Sequence, residues 1–431
     1  MKHSVRLILV LHIFLITFAA ANAADNWLQL RGPNGSGVST AKNLPLSWSA
    51  TDNIIWKTAI PGRGRSSPVV LGNRIWLTTA VETNPRNYRE SSDPVTGADR
   101  IEIGVVCLDR GSGKILYHVT LYRVDNPPPA HVLNSFATPT PVAEPGRLYC
   151  DFGAFGTACL DAATGKVLWQ AKLPIDHHLA PGSSPVVWKN LLILVRDGRD
   201  QQFVAALDKR TGKQVWRTDR PPIEVKSPNT KKSFCTPAFV EAGGRAQVVI
   251  PCAHWFVSYD PASGKELWRV KHGTSFSIAP VPAVGNGLVY CCTGMTRQLW
   301  AIRPDGAGDV TATHVAWKAD SVVGTMPSPL LVGDKFYALS EAGAVSCLDA
   351  VTGAELGRRA LVGNFSASPL LADGRIYVFN QKGKGYALKA GKDLEVLAES
   401  ELEGPLFASP APVGDKLYLR TDSTLYCIGK K

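Results

Sequence analysis

The sequence predicts an all-β fold, an eight-bladed β-propeller of four-stranded blades, from three observations. One hairpin string recurs along the chain, a second string marked by proline precedes each copy, and the two ends of the chain each lack what the other supplies. The hairpin is plainest at Cys159-Leu160-Asp161-Ala162-Ala163-Thr164-Gly165-Lys166-Val167-Leu168-Trp169. There the Asp161 carboxylate is placed to accept hydrogen bonds from turn amides, and Gly165 can take the positive φ that closes a short bulged hairpin. Val167 and Trp169, two apart, share one face of the returning strand.

The string returns at Ala206-Leu207-Asp208 with Thr211-Gly212 and Trp216, and at Ser258-Tyr259-Asp260 with Ser263-Gly264 and Trp268. Weaker copies are Cys107-Leu108-Asp109 to Tyr117 and Cys347-Leu348-Asp349 with Thr352-Gly353; degenerate ones start at Ala301, Ala387 and Cys427. The preceding string is a small residue, a proline and an apolar run. It begins at Ser67-Pro68, Thr138-Pro139, Ser184-Pro185, Thr236-Pro237, Ala279-Pro280, Ser328-Pro329, Ser368-Pro369 and Ser409-Pro410. Four short strands in about fifty residues, repeated, are the signature of propeller blades. The 39 Gly and 30 Pro of the 431 residues agree with a turn every few residues.

Residues 54–60 read as an outer strand with no blade of their own, and the last blade, Ser409 to Ile428, lacks that strand. Joining the two removes an unpaired edge, so the N-terminal strand is expected to complete the C-terminal blade. The expected organisation is a signal peptide over 1–23, an extension over 24–53 lying irregularly on the propeller, and the propeller over 54–431. A polar insertion, Thr83 to Arg100, is expected to be a mobile loop. Trp169, Trp216 and Trp268 repeat at one position and are expected to pack between blades.

Lys2 and Arg6 precede an apolar core from Leu7 to Ala20, and Ala21-Asn22-Ala23 supplies a small-x-small cleavage pattern. The apolar run is too short to span a bilayer comfortably, and no other stretch is long enough. No Cys follows the cut, so a periplasmic or secreted protein is expected rather than a lipoprotein. Removing Lys2 and Arg6 from the 47 basic residues leaves 45 against 36 acidic ones, a balance that suits an anionic partner. Export and the absence of a long Lys/Arg run argue against nucleic acid. Cys107, Cys159, Cys347 and Cys427 occupy one repeat position where other units place Ala or Ser, which marks them as buried packing residues rather than disulfide partners.

These strings resemble the repeat of the pyrroloquinoline quinone (PQQ)-like β-propeller superfamily, which contains quinoprotein alcohol dehydrogenases and the outer-membrane protein assembly factor BamB. The stretch Trp27 to Gly37 is also similar to an opening found in exported members of that superfamily. The resemblance covers the mature chain and speaks to fold, because the repeat is scaffold. For an enzyme it implies PQQ on the axis, Ca²⁺ held by oxygen ligands, a carboxylate base, sheltering insertions and often a vicinal disulfide. Cys291-Cys292 is adjacent, but successive strand residues face opposite sides, and no cation-binding set stands in the family's order. No catalytic residue, cofactor or metal site is therefore expected.

The loops opposite the Asp-Thr-Gly turns instead gather polar, mostly cationic residues: Arg63, Arg65, His131, Asn134, His177, His178, Arg196, Asp197, Arg199, Asp200, Lys231, Lys232, His254, Arg297, Glu341, Asn380 and Lys382. Together they are expected to form a funnel for an anionic or hydroxyl-rich ligand or a partner segment. The resulting expectation is a monomeric, non-catalytic binding or assembly scaffold of the cell envelope. A PQQ- and Ca²⁺-dependent alcohol or sugar oxidoreductase and a polysaccharide-binding propeller stand as alternatives.

Overall fold

The computed structural model describes residues 26–430; the expected signal peptide lies outside the described residues. The chain folds into successive antiparallel sheets of four short strands. In sheet 2 they are Val142–Glu144, Arg147–Asp151, Thr157–Asp161 and Val167–Ala171. Sheets 1, 3, 4, 5, 6 and 7 start at Val69, Val186, Ala238, Ala283, Leu330 and Leu370 in the same pattern. Sheet 8 combines Ala411–Val413, Lys416–Arg420 and Thr424–Ile428 with Ile54–Ala59 from the other end of the chain. Among the described residues no helix is long and apolar enough to cross a membrane. Such an array of four-stranded antiparallel sheets is the construction of a β-propeller.

Each hairpin turn works as its residue types dictate. Asp161 Oδ1 accepts from the Ala163 amide at 3.1 Å, the Thr164 amide at 2.8 Å and the Thr164 hydroxyl at 2.7 Å, while Gly165 sits at φ 74°. The same cradle recurs at Asp208 and Asp349. A side chain from the sheet before then covers that turn. Trp169 donates from Nε1 to the Lys209 carbonyl at 3.1 Å, and a Cβ on Gly212 would meet its ring at 2.6 Å. Trp216 does the same to Pro261 and Gly264, Trp317 to Ala350 and Gly353, and Tyr117 to Ala162 and Gly165. Trp268 departs from the pattern: its Nε1 donates to Gln247 within its own sheet at 2.7 Å. Sheet 5 presents no Asp-x-x-Thr-Gly turn for it to cover.

Three expectations need correction. The insertion at 83–100 is not a loose loop: Arg86–Glu90 and Asp93–Gly97 pair with each other and with Ala130–His131 in a small three-stranded sheet. Long strands Arg74–Thr83 and Arg100–Asp109 carry this flap beyond sheet 1. The proline-marked string starts two residues later in two sheets, at Thr140-Pro141 and Val281-Pro282, because it is these residues that run directly into Val142–Glu144 and Ala283–Gly285. Sheet 4 also has a fifth strand, Gly308–Asp309, parallel to Glu266–Lys271.

The extension before Ile54 runs across the sheets in a defined course. Trp27 bridges Val70 of sheet 1, the Leu28 carbonyl receives the Ala143 amide of sheet 2, and Val38 bridges Leu371 of sheet 7. Between them the Arg31 guanidinium is buried, donating to the carbonyls of Ser36 (2.7 Å), Pro329 (2.5 Å), Gly35 (3.2 Å), and Ser328 and Pro369 (both 3.4 Å). Gly37, at φ 74°, allows this closeness: a Cβ there would meet Arg31 Nη2 at 2.6 Å.

Candidate functional site: a cavity bordered by linked hydroxyl residues

Except in sheet 5, a hydroxyl residue and a proline precede the strand that opens each sheet, and these residues link one sheet to the next. The amides of Ser67, Thr140 and Ser184 donate to Oγ of Thr140, Ser184 and Thr236 at 2.9 Å each. Those of Val281, Ser328 and Ser368 donate to Oγ of Ser328, Ser368 and Ser409 at 2.9–3.0 Å. Two junctions differ. Sheet 5 has Val281 where a hydroxyl would stand, and there the Cys235 thiol donates to the Pro280 carbonyl at 3.2 Å. Between sheets 8 and 1, Arg420 Nη1 donates to Ser66 Oγ at 2.6 Å and to the Thr78 carbonyl at 2.7 Å.

The hydroxyl residues of this ring border a cavity of about 690 Å³. Its wall carries the ring residues Ser67, Thr140, Ser184, Thr236, Ser328, Ser368 and Ser409, and the apolar groups Leu133, Leu179, Phe234, Phe276, Met295, Met326 and Phe407. Leu30 of the extension lines it as well as a smaller cavity of about 260 Å³. The charged lining is Arg65, His131, Lys232 and Arg297 against Asp93 and Glu341.

Arg65 lies over the Phe407 ring at 3.5 Å and pairs with Asp422 at 3.2 Å; its side chain is 9% exposed, and Nη1 has no partner. Burial pulls its guanidinium below the ordinary value, against the opposing pull of Asp422. Lys232 Nζ lies 3.0 Å from His178 Nδ1. Burial drags this ammonium down to about 8, with Asp93 the first of the groups opposing the shift. His131 and His178 are likewise lowered by burial, and Lys232 adds to both shifts. His178, Leu179 and Ala180 all hold left-handed backbone, at φ 42°, 81° and 71°. Asn134 Nδ2 supports the strained segment by reaching the carbonyls of Leu179, Ala180 and Pro181 at 3.0–3.2 Å. From the flap come Ser92 and Asp93 as lining, and Glu90 Oε2 at 3.8 Å from His178 Nε2.

Of the residues expected to form a funnel, the structure brings together Arg65, His131, Asn134, Lys232, Arg297 and Glu341, with His178 directly behind Lys232. The others are occupied elsewhere. Arg196, with no exposed side-chain surface, forms a bidentate pair with Asp151 at 2.7 and 3.0 Å and joins sheets 3 and 2. Asp197 pairs with Arg220 in the same buried manner at 2.9 and 3.0 Å. Arg199 is held by Asp176, Arg63 by Glu82, and Asp200 by the Asp176 amide. His177 accepts the Ala154 amide at 3.3 Å, and its imidazole is pushed down to about 3 by burial. His254 is buried at φ 69°, and Asn380 caps its own turn by accepting the Lys382 and Lys384 amides. Lys231 ends a short 3₁₀ turn and Lys382 is exposed. Sequence reasoning missed Asp93, Leu30 and Phe407. The ring hydroxyls were visible as the residue before each proline, but only as strand starts.

Set beside known proteins, residues 102–252 and 254–428 match the family described as outer membrane protein assembly factor BamB. The chain belongs to that family, within the PQQ-like β-propeller superfamily. No curated protein matches the sequence. Among solved structures, BamB from Moraxella catarrhalis is 13% identical, with 82% of this chain and 99% of that chain covered at a TM-score of 0.54. The quinohemoprotein alcohol dehydrogenase from Comamonas testosteroni is 13% identical, covering 96% of this chain and 82% of its own, at 0.64. A europium-containing methanol dehydrogenase is 11% identical over 94% of this chain and 98% of that chain, also at 0.64. At such identities the likeness is one of fold.

Proposed function

We propose that the protein is an exported, monomeric, eight-bladed propeller, closed by Ile54–Ala59 in the last blade, that acts as a binding or assembly scaffold of the cell envelope. The observation that carries this reading is the cavity. It is lined by Leu30 of the N-terminal extension, by hydroxyls, by aromatic and aliphatic side chains and by a few cations, which is the make-up of a binding site. Membership of the BamB family supports an envelope role. The oxidoreductase alternative draws on the fold shared with two alcohol-oxidising enzymes. The residues present do not fit a quinone with a hard cation. Cys291 and Cys292 are buried in separate cores on the two faces of sheet 5, so the adjacent thiols point apart. Glu341 already holds Thr325 and lies 3.7 Å from Arg297, leaving Asp93 as the other lining carboxylate. Among the described residues no three His, Cys, Asp or Glu side chains are grouped to hold a metal ion. Affinity purification from envelope extracts tests the scaffold: reproducible capture of envelope proteins, lost on mutation of cavity-mouth residues, is expected. Dye-linked alcohol or sugar oxidation after adding PQQ and Ca²⁺ would overturn it.

A further inference from the structure

The ring of linked hydroxyls has an asymmetry that bears on the ligand. Each of Thr140, Ser184, Thr236, Ser328, Ser368 and Ser409 accepts one amide proton through its hydroxyl oxygen. Among the described residues none of these six hydroxyls has a recorded acceptor, and all six residues line the cavity. A hydroxyl that already accepts a hydrogen bond is polarised toward donating, so the ring offers unmatched protons. Guanidinium donors nearby are also incompletely matched. Arg65, with a side chain more than nine-tenths buried, lines the same cavity, and its Nη1 has no partner among the described residues. Arg420 leaves Nε and Nη2 unpartnered at the junction of sheets 8 and 1. Next to Leu30, all the hydrogen-bond acceptors of Arg31 are neutral carbonyls. Buried donors left unmet are costly, and burial has pulled both Arg31 and Arg420 down to about 9.

Resting on the reading of the cavity as a binding site, we propose that the hydroxyl ring and Arg65 form an oxyanion-binding site. Its ligand is a compact molecule rich in acceptor oxygens, carrying several phosphate or carboxylate groups, and a neutral polyol does not suffice. The hydroxyls and Arg65 Nη1 are free to donate, and anionic acceptors give the stronger, charge-assisted bonds.

Calorimetry on the purified protein at low salt tests this with citrate, inorganic phosphate, myo-inositol hexakisphosphate and uncharged myo-inositol. At least one anion is expected to bind at one site per chain, with myo-inositol silent; the carboxylate and phosphate arms identify the group preferred. Arg65→Met is expected to weaken binding about tenfold or more. Thr236→Val, a change sheet 5 itself tolerates at Val281, is expected to weaken it severalfold with the unfolding midpoint monitored alongside. Lys213→Met, on the exposed turn face, should leave affinity unchanged. No anion binding, equal binding of myo-inositol, or equal weakening by Lys213→Met and Arg65→Met would each overturn the proposal. Capture of envelope proteins in the absence of anion binding would remove this inference and leave the scaffold reading standing.

Discussion

The indole of Trp56 lies on Gly113, and its Nε1 donates to the Arg110 carbonyl at 3.2 Å. This is the contact that Trp169 makes with Gly212 and Trp216 makes with Gly264, yet the strand that carries Trp56 belongs to sheet 8 and precedes the other strands of that sheet by about 350 residues in sequence. Thr58 adds a hydroxyl bond to the Gly113 carbonyl at 2.7 Å, as Thr218 does to Gly264. The seam between sheets 8 and 1 is thus built like an ordinary junction from chain segments that start far apart. Trp56→Ala should cost about 3–5 kcal/mol, comparable with Trp216→Ala. Deleting 54–60 should abolish the cooperative unfolding transition. Urea melts followed by tryptophan fluorescence read both, and a deletion protein with an unchanged midpoint would contradict the pairing.

Gly212 stands at φ 73° with the Trp169 ring where its Cβ would be. Gly212→Ala therefore meets both a strained backbone and a clash, and a loss of about 1–3 kcal/mol is expected. By contrast Gly146→Ala, also at positive φ but with open space around it, should cost only the backbone strain of about 1 kcal/mol. A pair of melts compares them directly.

Val281 interrupts the hydroxyl ring. Val281→Thr keeps the shape and offers the Thr236 amide an acceptor, so a gain of about 0.5–1.5 kcal/mol is expected. A loss of similar size would mean that the hydroxyl cannot reach the neighbouring strand.

Arg196 and Asp151 are buried together, so removing one strands the other. Arg196→Met should cost about 3–5 kcal/mol, while the double variant Asp151→Leu/Arg196→Met should recover much of it. A double-mutant cycle in chemical denaturation measures the coupling.

Acid should weaken the fold before the carboxylates titrate. His177 and His272 are pushed down to about 3 and about 4 by burial, from an unfolded value near 6.5. Between those limits the unfolded chain binds more protons than the folded one, so stability is complete above about 6.5 and falls as pH drops through the window. For His177 the structural reason is plain, since the ring nitrogen accepting the Ala154 amide must stay unprotonated. His177→Gln should flatten the decline of the urea midpoint between pH 6.5 and 4; an unaltered slope would assign the acid response elsewhere.

Much of this was legible in the chain. Asp161, Thr164 and Gly165 fix a turn by local chemistry, and their recurrence marks the sheets; the opposite facing of Cys291 and Cys292 follows from strand geometry alone. Less of the site could be read. Arg196 and Arg65 are alike in sequence, both cations at the end of a strand or loop, but only the fold puts Asp151 beside the first and leaves the second lining a cavity. The flap hid for a similar reason. Its sequence is polar and rich in turn residues, and its third strand, Ala130–His131, lies some thirty residues away across sheet 1.

The pairing of Ile54–Ala59 with Thr424–Ile428 also has a consequence in time. During synthesis the partner of the first strand is made about 370 residues after it. At about 5–20 residues per second the wait is on the order of half a minute. Through that interval its backbone amides and carbonyls are bare, and the earlier sheets form with one flank uncovered. Nascent chains are then most exposed to mispairing, and a holding factor that shields this one strand should raise the yield more than any help given to the middle of the chain.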